Sequence, residues 1–205
     1  MNFLSNIKST GKHLLAQTYY NWANTYIQQG EYQRALTACN TALQHVPTFL
    51  DAYLLRGTAL TQLGEHEAAL SEINFVLDQN HKKMDALTQR GLVYYAIGDF
   101  AAAVSDYNVA IYLNPDHTTV LYLYRGLAEY AQGNLSAAIS DYNAAIRCDP
   151  NNVVAYRRRG DVRVKQGQLS EALSDYFTYL ERGVMQGFKQ RNEVKTLIGE
   201  LRRQI

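Results

Sequence analysis

Apolar residues recur at intervals of three and four along most of the chain, and no stretch sustains strict alternation. That pattern predicts helices and no strands. In FAAAVSDYNVAIYLNP, residues 100–115, Ala103, Val104, Tyr107, Ala110 and Ile111 share one helical face, and Pro115 stops the helix. The preceding stretch MDALTQRGLVYYAIG ends at Gly98, a residue suited to a tight turn between two helices. The unit predicted here is therefore a helical hairpin.

The hairpin repeats. Gly30, Gly64, Gly98, Gly133 and Gly167 stand 34, 34, 35 and 34 residues apart. Gly57, Gly91, Gly126 and Gly160 keep the steps 34, 35 and 34, with Ala23 one period earlier. Pro47, Pro115 and Pro150 follow the same rhythm, with His81 where a further proline would fall. The one extra residue is placed in the loop around Asp116–Thr119, where insertion costs little. A small residue also recurs on the second helix, at Ala35, Ala69, Ala103, Ala138 and Ala172. Small side chains at matching places let two helices approach closely. Five repeats are expected, at 16–49, 50–83, 84–118, 119–152 and 153–182, flanked by an N-terminal segment 1–15 and a C-terminal capping helix within 183–205.

The chain resembles the tetratricopeptide repeat family, whose unit is a 34-residue helix–turn–helix. The first repeat supplies Tyr19, Trp22-Ala23, Tyr26, Ala35, Cys39 and Pro47. The third supplies Leu87, Arg90-Gly91, Tyr94, Ala103, Tyr107 and Pro115. The fifth keeps Tyr156, Arg159-Gly160, Ala172 and Tyr176, with Arg163 in the place of Tyr and Val184 in that of Pro; in the fourth, Glu129 replaces the Tyr. The resemblance implies an all-α fold, a right-handed superhelix of stacked hairpins. It also implies a groove, lined by the first helices, that takes a peptide or helix.

Two polar series accompany the repeat. Arg56, Arg90, Arg125 and Arg159 are each matched sixteen residues later by Glu72, Asp106, Asp141 and Asp175, whereas the first repeat has Trp22 and Ala38 and lacks both. An Arg–carboxylate pair joining the two helices of a repeat is predicted. Asn40, Asn74, Asn108 and Asn143 form the second series. Asn is a poor helix former, so hydrogen bonds between adjacent repeats are its expected role, with a functional polar stripe as the alternative.

At the C-terminus Val194, Leu197, Ile198, Leu201 and Ile205 form one apolar stripe, read as a cap over the last repeat, with a dimerisation or partner helix as the alternative. At the N-terminus Phe3, Leu4, Ile7, Leu14 and Leu15 form a weaker set interrupted by Gly11, which covers the first repeat or stays mobile.

Composition narrows the function classes. Twenty Lys and Arg against 19 Asp and Glu exclude a polybasic nucleic-acid coat and an acidic tail. Two cysteines make no disulfide framework, so a reducing, cytoplasmic setting is expected; no secretory signal or membrane span is read, and at most a peripheral membrane contact remains. No HExxH, clustered Cys/His or phosphate-binding glycine loop occurs, so neither metal nor cofactor is expected, and no catalytic residue is named.

Binding is the expectation instead. The resemblance carries the groove onto three zones. The first is amide-rich, with Gln17, Tyr20, Asn21, Asn24 and Gln28, followed by Asp51, Leu54, Leu55 and Thr58. The second is apolar and aromatic: Leu92, Tyr95, Leu123, Tyr124, Leu127 and Tyr130. The third is basic: Arg157, Arg158 and Lys165, with Asp161 among them. Leu92 and Leu127 also suit plain packing between repeats. A protein or peptide partner with apolar anchors and an acidic segment is expected, RNA is not, and a self-associating homo-oligomer is the competing reading. The family's carboxylate clamp for Hsp90 and Hsp70 tails is not expected. Only Asn24 matches it, while Tyr20, Leu55, Asp85 and Gln89 occupy its other places.

Overall fold

The computed structural model describes residues 3–80, 83–114, 118–183 and 188–203, with side chains from residue 10 onward except 188–190. It is all-α. The described residues form eleven helices and no strand: α1 Phe3–Gln28, α2 Tyr32–His45, α3 Leu50–Gln62, α4 His66–Gln79, α5 Met84–Ile97, α6 Phe100–Leu113, α7 Thr119–Ala131, α8 Leu135–Cys148, α9 Val153–Lys165, α10 Leu169–Arg182 and α11 Phe188–Leu201. They fall into two compact units, Met1–Gly98 and Asp99–Ile205. In the first, α1 packs on α2, α3 on α4, and α2 and α4 each pack on the next helix. In the second, α7 packs on α8 and α9 on α10, again with neighbours in sequence touching. No helix among the described residues is long and apolar enough to cross a membrane.

The hairpin turns follow from the first glycine series. All five glycines have positive φ, from 75° at Gly30 to 86° at Gly133. At Gly30 the amide donates to the Ile27 carbonyl and the Glu31 amide to the Tyr26 carbonyl, at 3.0 and 2.8 Å. This is a Schellman ending, which satisfies the last carbonyls while reversing the chain. The same pair of bonds recurs at Gly64, Gly133 and Gly167.

The second glycine series sets how closely the hairpin helices cross. A methyl group at Gly126 would stand 2.7 Å from Cε1 of Tyr142, and at Gly160 2.8 Å from Cε1 of Tyr176. Both rings are 1% exposed. At Gly57 the facing residue is Ile73, 3.0 Å away. Ala23 is tolerated because its neighbours are small: it is buried with Ala38 and Cys39.

The Arg and Asn series are one network. Arg56 donates through Nη2 to both Glu72 oxygens at 2.8 Å and through Nη1 to Asn40 Oδ1 at 2.7 Å. Arg125 grips Asp141 through Nε and Nη2, at 2.9 and 2.5 Å, and Asn108 through Nη1 at 2.6 Å. Arg159 repeats this with Asp175, at 3.0 and 2.6 Å, and Asn143, at 2.5 Å. Arg90 donates to Asn74 at 2.8 Å. Each carboxylate named here lies on the second helix of the same hairpin, and each Asn on the helix before it. The guanidinium groups of Arg56, Arg125 and Arg159 lie 5.1–5.5 Å from the ring centres of Tyr53, Tyr122 and Tyr156, three residues earlier. Hydrogen bonding to Asp141 holds Arg125 more firmly protonated, while burial pushes the Asp141 carboxyl up against the pull of Arg125.

The spacing of the network locates the extra residue. Asn108 and Arg125 are 17 apart, where the other Asn–Arg pairs are 16 apart. The connection 114–118 is one residue longer than 46–49, 80–83 and 149–152. Within it 115–117 lie outside the described residues, as do His81, Val184 and Ile205 and the side chains of Phe3, Leu4 and Ile7.

The chain ends differ from each other. Segment 1–15 is not a separate element from residue 3 onward: α1 runs unbroken through Gly11 for 26 residues. One glycine costs about 1 kcal/mol in a helix, which the good helix formers around it offset. Leu14 and Leu15 remain exposed, so this turn of α1 covers nothing. At the other end α11 buries Val194, Ile198 and Leu201 against Ala172, Tyr176 and Tyr179 of α10, with Leu197 alongside.

The ion-pair network and the crossing glycines each have a measurable consequence for stability. Asp141→Asn leaves a guanidinium that cannot deprotonate without its anion, in a site where Asp141 is 6% and Arg125 23% exposed. A cost of about 3 kcal/mol is expected, lowering the thermal midpoint by about 6–12 °C in circular dichroism melts. The exposed pair of Arg34 and Glu31 is the control, and Arg34→Gln leaves the midpoint in place. For glycine the sign depends on what a methyl meets. Gly160→Ala forces the Tyr176 ring aside and costs about 1–3 kcal/mol, whereas Gly11→Ala enters open space and stabilises by up to about 1 kcal/mol.

Candidate binding surfaces

In the first unit an open cavity of about 230 Å³ lies along the first helices. Tyr20 of α1, Asp51, Leu54, Leu55 and Thr58 of α3, and Asp85, Thr88 and Gln89 of α5 line it. Helical spacing puts these residues there: 51, 54, 55 and 58 form one face of α3, and 85, 88 and 89 the equivalent face of α5. The hydroxyls of Thr58 and Thr88 donate back to the carbonyls of Leu54 and Met84, which satisfies them within their own helices. Tyr20 packs against Phe49, ring centres 5.1 Å apart. Burial first, and then the nearby Asp51, Cys39 and Asp85, push its phenol up. Asp51 holds the ammonium of Lys83. Asp85 is exposed and makes no hydrogen bond or ion pair with the described residues.

The residues expected in the groove divide between this unit and the next. Asn24 is exposed on α1, and Leu92 and Tyr95 are half-buried on α5. In the second unit Leu123, Tyr124, Leu127 and Tyr130 are half-buried on α7. Leu123 and Tyr130 pack against the buried cluster of Ala138, Tyr142 and Val162, and Tyr124 lies 5.9 Å from the ring of Tyr107. These three side chains are partly spent on cohesion of the unit.

The basic residues are partnered as well. Arg157 reaches Glu193 of α11 at 3.4 Å and lies over Tyr179. Arg158 stands 3.7 Å from Asp161. Lys165 places its ammonium 4.3 Å from the Tyr130 ring centre. Asp161 also accepts from the Tyr176 hydroxyl at 2.9 Å, and burial pushes both of these groups up. The positive zone read from sequence is thus partnered within the unit, by Asp161 and the Tyr130 ring and, at Arg157, by a carboxylate on α11 that no repeat spacing announces.

A second cavity of about 230 Å³ was missed altogether. It lies on the first hairpin, lined by Tyr19, Trp22, Tyr26, Arg34, Thr37, Ala38 and Thr41. Trp22 is 51% exposed at its edge. The signal was present: Trp22 and Ala38 stand where the later repeats carry Arg and its acid.

Among the described residues no three His, Cys, Asp or Glu side chains stand close enough to hold a metal. Of the two cysteines, Cys39 is buried, which pushes its thiol up to about 12, and Cys148 is exposed. A maleimide should therefore label one thiol per native chain, at Cys148, and two after denaturation. Native labelling of Cys39 at a comparable rate would contradict this packing.

Family models agree with this geometry. Tetratricopeptide repeat models match residues 16–49 and 57–118, and a TPR repeat model matches 126–167. The chain belongs to the tetratricopeptide repeat family. Among curated proteins none matches it significantly. Solved structures share the fold. PilF of Pseudomonas aeruginosa is 17% identical with a TM-score of 0.77, over 95% of this chain and 91% of that one. TTC0263, a thermophilic TPR protein of Thermus thermophilus, is 19% identical with a TM-score of 0.72, over 91% and 98%. YrrB is 21% identical with a TM-score of 0.65, over 89% and 92%. At these identities the likeness speaks for the fold alone.

Proposed function

We propose that this tetratricopeptide repeat protein is a non-catalytic interaction module that holds a segment of a partner protein. In the first unit that segment lies along the face of α1, α3 and α5. The observation that carries the reading is the open cavity built only from first-helix residues, with apolar and polar groups side by side. Such a mixed lining, leucines and threonines beside amide, phenol and carboxylate groups, suits a polypeptide segment. It gives no nucleophile–base pair of the kind catalysis needs. YrrB, which shares the fold, is a TPR protein with an unusual peptide-binding site, and the same use of the fold is proposed here. The half-buried residues Leu92 and Tyr95 of α5, and Tyr124 and Leu127 of α7, extend the candidate contacts within their own units. Arg158 and Lys165, exposed on α9 beside Asp161 and the Tyr130 ring, are the candidate contacts for an acidic stretch of the partner.

A photo-crosslinking residue introduced at position 58 tests the reading in the native cell. One discrete partner band is expected, lost when Thr88→Trp fills the cavity and absent when the crosslinker sits at the exposed position 67 on α4. Equal labelling from 58 and 67 would remove the face as a binding site.

The Trp22 cavity favours a second reading, self-association through the exposed edge of the first hairpin. Light scattering over a hundredfold concentration range separates the two. A mass that rises with concentration and returns to the monomer value in Trp22→Arg supports self-association, and a constant monomer mass rejects it.

A further inference from the structure

The cavity of the first unit carries an inference that rests on the peptide-binding reading and specifies its ligand: we propose that it takes a cationic side chain, arginine or lysine, from the bound segment. Among its lining residues Leu54 and Leu55 are half-buried and aliphatic, whereas the carboxylate-bearing Asp51 and Asp85 are exposed and so form its rim. A long cationic side chain matches both parts, laying its methylene stem on the leucines and its head group on the rim. Arginine adds a planar fork for a carboxylate and a face for the Tyr20 ring.

Charge complementarity decides between a cation and the terminal carboxylate that the family's clamp would hold. No Lys or Arg lines the cavity, and both carboxylates bear on Tyr20. An incoming carboxylate would meet the open Asp85, and the ammonium beside the cavity, that of Lys83, is already held by Asp51. The chain already shows the preferred chemistry at the rim, because Asp51 is engaged by an ammonium, that of Lys83. Lys83 occupies one carboxylate and leaves Asp85 open. It therefore acts as an internal competitor. A ligand cation either binds at Asp85 beside it or displaces it from Asp51.

The test uses the full chain and two fluorescein-labelled peptides, GALRALRAG and GALEALEAG, with affinity read by fluorescence anisotropy at low and at physiological salt. The arginine peptide is expected to bind at least tenfold more tightly than the glutamate peptide. Asp85→Asn should weaken it about tenfold, and Lys83→Met should strengthen it several-fold. Asp78→Asn, which removes an exposed charge from α4, should leave it unchanged and so excludes attraction to net charge alone. Preference for the glutamate peptide, equal loss in Asp85→Asn and Asp78→Asn, or binding of neither peptide would each overturn the cationic ligand. Partner capture at position 58 persisting through any of these results would leave the peptide-binding reading standing without it.

Discussion

One guanidinium with three kinds of neighbour organises this protein. Arg125 binds the carboxylate of Asp141 on its hairpin partner, the amide oxygen of Asn108 on the helix before, and lies against Tyr122 on its own helix. Arg159 does the same with Asp175, Asn143 and Tyr156, and Arg56 with Glu72, Asn40 and Tyr53. A hydrophobic contact between two helices tolerates sliding, because apolar surface is non-directional. A forked donor shared between two named acceptors does not. The glycine beside each arginine belongs to the same arrangement. It brings the paired helix near enough for the carboxylate to be reached, and the buried ring or aliphatic side chain fills the remaining space.

What breaks the network is as informative as what repeats it. At position 22, in the first of the five hairpins, the residue is Trp, and it lines one cavity with Ala38. An arginine there would find Ala38 where the later repeats carry its carboxylate. At the other end Phe177 stands in the place of Asn, and the cation above it is Arg202, 5.1 Å from the ring centre. The C-terminal end is covered by α11, whereas the Trp22 edge is open. The first unit therefore carries two distinct open features, a notch beside Trp22 on its first hairpin and a cavity lined by two carboxylates along its first helices. They differ enough in chemistry to take different partners.

Much of the fold was legible because its determinants are periodic. The left-handed glycines, the crossing glycines and the extra residue in connection 114–118 could be read as numbers along the chain. So could the Arg–acid correlation, since the residues of a pair are present or absent together. The Asn series was visible as a series, but its acceptor role toward arginine needed the helices in place. Gly11 interrupts the apolar set of the N-terminal segment but not the helix, since α1 passes through it. The lining of the first-unit cavity was legible in part. Tyr20, Asp51, Leu54, Leu55 and Thr58 follow one another in the sequence reading and line one cavity in the structure, while Leu123 and Tyr130 looked as available as Leu92 and pack on the cluster of Ala138, Tyr142 and Val162.

The sequence by itself determined the hairpins, their turns and the ion pairs within them, because each depends on residues at a fixed short separation. Only the tertiary structure decided which side chains remain open for binding. Arg157 is answered by Glu193 across 36 residues, and Asp51 by Lys83 across 32, through the packing of other helices or the path of a connection. Availability of a charge or a ring depends on every element that folds against it, and local spacing carries no record of those elements.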